Sequence, residues 1–154
     1  MPFPAAPTES PDTRPAIVVD TQVVMDWLVF SDPRAQSLAA ALTSGGLRWL
    51  VAAAMRDEIR HVLGRGVAAR YAPDLALIEA QFDAHAQPVD IAPPQPLAGR
   101  LVCRDPDDQK FIDLALAAGA RWLVSRDKAL LALAKRAKPR GLLIVKPEVW
   151  SPEL

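Results

Sequence analysis

Four short apolar runs, separated by stretches of helical periodicity, constrain this chain more than any other feature. They are Ala16 to Val19, Arg48 to Val51, Arg121 to Ser125 and Leu142 to Val145. Runs this short, continuous and rich in β-branched residues suit strands buried on both faces, as in a parallel sheet. Between them the spacing predicts helices over 23–29, 34–43, 52–63, 73–86, 106–118 and 127–136. Pro33 interrupts the chain after the first, Gly45-Gly46 ends the second, Gly64 and Gly66 follow the third, Pro73 opens the fourth and Gly119 closes the fifth. Pro88 to Ile91 reads as a short extended segment, and Pro93, Pro94 and Pro96 make a stiff loop. Strands alternating with helices imply an α/β fold, a mostly parallel sheet covered by helices on both faces. Sites in such sheets form at the carboxyl ends of the strands.

The 154 residues fit one domain, expected over 16–147. Residues 1–15 carry five prolines and read as a disordered tail, and residues 148–154 as a short C-terminal tail. Eighteen basic residues balance 18 acidic ones, which argues against a broad basic surface for non-specific nucleic-acid binding. The single cysteine, Cys103, forms no internal disulfide and reads as a small buried apolar residue. With two histidines there is no Cys/His metal spacing. No apolar run approaches the ~20 residues of a membrane span, and the N-terminus lacks the pattern of a signal peptide. These features point to the cytoplasm.

Four carboxylates stand where such a sheet would gather them. Asp20 closes the first apolar run and Asp127 follows the third. Each also suits the N-cap of the next helix. In the cluster 105–108, Asp105 fits an N-cap and Pro106 the first helical position, with Asp107 in the first turn. Asp108 differs, because it precedes Ile112 by four residues and so shares the core-facing side. Asp113 falls on the opposite, solvated side. Glu58 flanks the apolar stripe of Met55, Ile59 and Val62, where it reaches a cleft or pairs with Arg56 or Arg60. Ser125 orients Asp127 or bonds a ligand, while Trp122 and Phe111 read as core.

Acids crowded at strand ends lose hydration and repel one another, and a divalent cation offsets both costs. An all-oxygen donor set favours Mg²⁺ or Mn²⁺ over Zn²⁺. There is no Ser/His/Asp or Cys/His nucleophile set and no glycine-rich phosphate loop. Metal-assisted phosphodiester hydrolysis is the chemistry that fits.

Three segments carry a family resemblance. They are Val19-Asp20-Thr21-Gln22-Val23, Glu58 within Asp57 to Leu63, and the span from Cys103 to Leu131 containing Asp105-Pro106-Asp107-Asp108 and Ser125-Arg126-Asp127. Together they resemble the PIN domain, and most closely the toxin components of bacterial toxin–antitoxin pairs. The resemblance implies a three-layer α/β/α sandwich and a metal-dependent endoribonuclease. Its acidic quartet falls on Asp20, Glu58, Asp108 and Asp127, supported by Thr21, Gln22 and Ser125. It also implies an RNA substrate, a neutralising antitoxin and a homodimer. Two positions depart from the family pattern, with Gln22 where Asn is common and Arg126 where Gly is common. RNA contacts are expected among Arg34, Arg56, Arg60, Arg104, Lys110, Arg126 and Lys128. Two other readings stay open: a PIN fold that binds RNA or a partner without cutting, and a phosphoacceptor signalling module.

Overall fold

The computed structural model describes residues 12–90 and 94–154. Most of the expected tail, residues 1–11, lies outside the described residues, as do residues 91–93 with the end of the expected extended segment and Pro93 of the loop. The strands are β1 (Ala16–Val19), β2 (Arg48–Ala52), β3 (Ala86–Val89), β4 (Trp122–Val124) and β5 (Leu143–Val145). They form one sheet in the order β3-β2-β1-β4-β5, and every pairing is parallel. Successive strand residues point to opposite faces. Every residue of β1 and β4 is buried, so both faces of the sheet are covered and the three layers follow.

The helices are α1 (Thr21–Leu28), α2 (Gln36–Thr43), α3 (Ala53–Gly64), α4 (Leu75–His85), α5 (Gln109–Ala117), α6 (Lys128–Leu131) and α7 (Ala134–Ala137). Several boundaries differ from the sequence expectation for identifiable reasons. Short 3₁₀ turns at Pro33–Ala35 and Pro106–Asp108 precede α2 and α5, each with its proline at the first position. Helix α4 begins at Leu75 because the Asp74 carboxylate caps it, accepting from the Leu77 N–H at 3.1 Å. The helix expected over 127–136 is two short ones. Leu130 and Leu133 are both buried, and a 3.0 Å bond from the Leu133 N–H to the Leu130 carbonyl tightens the chain between them. The extended segment expected over 88–91 begins two residues earlier, because β3 pairs with β2 from Trp49↔Ala86 to Ala52↔Val89. Pro88 is tolerated there because β3 is an edge strand.

Both ends of the domain are tied down. The Arg48 N–H donates to the Pro15 carbonyl at 2.9 Å, and Arg14 Nη1 donates to the Gly45 carbonyl at 3.0 Å. Trp150, in the expected C-terminal tail, is buried edge-to-face on Trp122 with ring centroids 5.4 Å apart. Among the described residues no helix is long and apolar enough to cross a membrane.

The register between β1 and β4 places the functional region. Val19 faces Val124, and the Asp20 N–H continues the ladder by donating to the Val124 carbonyl at 3.0 Å. Asp20 and Ser125 therefore leave adjacent parallel strands side by side at the carboxyl end of the sheet.

Candidate metal centre

A cleft of about 380 Å³ opens at that end, and Asp20, Glu58, Asp108 and Asp127 all line it. Thr21, Gln22 and Arg126 line it too.

Asp20 is 3 % exposed, and both of its oxygens are engaged. Oδ1 caps α1 by accepting from the Val23 N–H at 3.1 Å, and Oδ2 accepts from the Ser125 hydroxyl. Burial raises its proton affinity, and the bonds from Ser125 and the backbone oppose that rise. Ser125 is wholly inaccessible and joins two acids, since its Oγ also accepts from the Asp127 N–H at 2.9 Å. Asp127 in turn caps α6, accepting from the Ala129 N–H at 2.7 Å. Capping and site-building are thus not alternatives at Asp20 and Asp127. The same carboxylate starts a helix and faces the cleft.

Asp108 has the least satisfied carboxylate of the group. Its Oδ2 is buried with no hydrogen-bond partner among the described residues. Burial and the facing Asp127 carboxylate push its pKa up to about 7, with smaller contributions from Asp105 and Asp20. One oxygen each from Asp105, Asp108 and Asp127 lie within 4.8 Å of one another. Sequence reasoning explained Asp105 only as a cap. It does cap, accepting from the Asp107 N–H at 3.0 Å, but it also stands three residues before Asp108 and so on the same side. That spacing was the available signal. The trio suits a hard divalent cation, which would give the orphaned Asp108 oxygen a partner and remove the repulsion.

Glu58 and the basic residues are placed less as expected. The Glu58 carboxylate accepts from Lys110 Nζ, which also donates to the Asp107 carbonyl at 2.8 Å. Arg56 and Arg60, the partners considered for Glu58, bind Glu79 on α4 instead. Arg34 pairs with Asp32 at 2.7 Å. Arg104 and Lys128 are exposed. Asp113 is not solvated as expected. The chain around residues 95–101 folds over α5, and Asp113 Oδ1 accepts from Gln95 at 2.7 Å and Gln109 at 3.0 Å. Cys103 is buried as expected, and burial pushes its thiol pKa up. Asp26 was missed altogether. It is 3 % exposed on α1 and receives two 2.7 Å bonds from Arg126 and one of 3.2 Å from Gln22. Asp26 follows buried Val23 by three residues, so the face argument applied to Asp108 would have found it.

The chain is thus an all-parallel α/β/α sandwich with a carboxylate-lined cleft at its strand ends. This chain belongs to the PIN domain family, whose model matches residues 16–129. It is also similar to a chain in the crystal structure of VapBC2 from Rickettsia felis bound to a DNA fragment from their promoter, with a TM-score of 0.53. The two are 11 % identical, and the alignment covers 85 % of this chain and 97 % of that one, a likeness of fold. No curated protein matches the chain in sequence.

Proposed function

We propose that this protein is a metal-dependent endoribonuclease, the toxin of a toxin–antitoxin pair. The observation that carries the reading is the unpartnered Asp108 oxygen within the Asp105/Asp108/Asp127 cluster, beside a cleft that also exposes Glu58. Asp108 and Asp127 would hold Mg²⁺ or Mn²⁺, with Asp105 or Asp20 completing the oxygen set. The bound ion would polarise the scissile phosphate and activate water. Hydrolysis joins the water oxygen to phosphorus, breaks one ester bond and returns a proton to the leaving oxygen. Ser125 fixes Asp20 and Asp127 against each other, and Glu58, held by Lys110, faces the same cleft. RNA as substrate, an antitoxin partner and homodimerisation come from the family resemblance.

One observation favours a second reading. The bond from Lys110 engages Glu58, which suits a PIN fold that binds RNA without cutting it. A single experiment separates the two. Single-stranded RNA is incubated with the protein and Mg²⁺ or Mn²⁺, with and without chelator, alongside Asp20→Asn. Metal-dependent cleavage, abolished by the chelator and at least tenfold slower in Asp20→Asn, is expected. Binding without cleavage in both metals would select the second reading, and equal cleavage by both proteins would remove the assignment.

A further inference from the structure

The proposed hydrolysis gives Asp26 no part, although its burial equals that of Asp20. A charge that deep in the fold persists only with a close partner. Arg126 supplies one through Nε to Oδ2 and Nη2 to Oδ1, both at 2.7 Å, and Gln22 adds its amide at 3.2 Å. Two parallel bonds fix the plane of the guanidinium as well as its position. Arg126 lines the cleft and Asp26 does not, so the cation stands forward with its counter-charge behind it. Nη1 donates to no described residue. Arg126 lines the cleft with Asp20, Glu58, Asp108 and Asp127, while the other nearby cation, Lys110, is taken up by Glu58. A phosphate entering between four acids needs fixed positive charge near them.

We infer that Arg126 is a phosphate anchor that grips the backbone of single-stranded RNA at this cleft, with Asp26 and Gln22 as the residues that position it. The inference rests on the ribonuclease reading for its substrate class. Gln22 and Arg126 converge on one carboxylate, that of Asp26 on α1. A free arginine at this rim would lose rotamer entropy on each binding event, and the clamp removes that loss in advance.

The test measures the affinity of a labelled single-stranded RNA by fluorescence anisotropy over a range of KCl concentrations. All proteins carry Asp108→Asn, so the RNA stays intact. Arg126→Ala is expected to weaken binding about tenfold and to lower the slope of log K against log salt by about 0.7, one phosphate contact. Asp26→Asn/Arg126→Ala does the same without stranding a buried charge, which keeps the test valid where Arg126→Ala fails to fold. Asp26→Asn alone retains the cation and frees it, so affinity falls about threefold with the slope unchanged. Unchanged affinity and slope in the double variant would overturn the anchor, and Arg126→Lys equal to wild type would overturn the clamp. RNA binding that depends on Arg126, in a protein whose wild type never cleaves, would sink the ribonuclease reading and leave the anchor standing. A wild-type protein that neither binds nor cleaves single-stranded RNA would overturn both.

Discussion

Asp108→Asn is expected to slow RNA cleavage by more than about a hundredfold while making the metal-free protein more stable above pH 7. The two effects share a cause. Asp108 is pressed against Asp127 with one buried, unpartnered oxygen, and its pKa stands at about 7. That arrangement costs stability, and a cation held by both carboxylates would offset the cost. The folded pKa lies above the unfolded value, so the folded state holds its proton over a range where the unfolded state has released it. Apo stability at this site is therefore greatest below about pH 4 and falls as pH rises to about 7, where it levels off. Asn keeps the shape and cannot ionise, so the variant lacks this loss. At pH 8 it should gain roughly 1–2 kcal/mol after allowance for solvent screening of a half-buried group. Urea melts at pH 5 and pH 8, with and without Mg²⁺, check this. Wild type should gain stability from Mg²⁺ at pH 8 and the variant little. A variant less stable than wild type at pH 8 without metal would show that Asp108 is a structural acid and not a held-open ligand.

The sheet was legible because its strands are buried on both faces, so their apolar runs are continuous and their ends sharp. Edge strand β3 was read two residues late because it lacks that signature: Gln87 and Pro88 are exposed, and its limits come from pairing with β2. The site was legible where an acid ends a strand, as at Asp20 and Asp127, or sits on a helix face that must be buried, as at Asp108. What escaped was pairing between segments distant in sequence. Lys110 reaches Glu58 across 52 positions and Arg126 reaches Asp26 across 100, and no local pattern encodes either contact. Asp105 escaped for another reason. One sufficient local explanation, the cap, hid the second role that its spacing to Asp108 allowed.

Ser125→Ala is the other large effect, and it separates the scaffold of the site from its ligands. Ser125 is inaccessible, donates to Asp20 Oδ2 and accepts from the Asp127 N–H at 2.9 Å. Removing one hydroxyl strands a buried carboxylate oxygen and a backbone N–H together. Leaving such groups unpaired should cost roughly 2–4 kcal/mol, lowering Tm by about 5–15 °C in a chain of this size. The loss also depends on pH. Burial already raises the proton affinity of Asp20, and the hydrogen bond from Ser125 is what most opposes that rise. Without that bond the folded pKa rises further above the unfolded one. The deficit relative to wild type is therefore smallest at acid pH, where Asp20 is neutral, and grows as pH rises through its titration. A purely volumetric defect would show no such trend. Ser125→Thr keeps the hydroxyl and adds a methyl group, so it should be destabilised by overpacking yet retain the wild-type pH trend. Thermal melts of the three proteins from pH 4 to pH 8 read both quantities. If Ser125→Ala stays within about 0.5 kcal/mol of wild type throughout, the hydroxyl bridge does not hold Asp20 and Asp127 together.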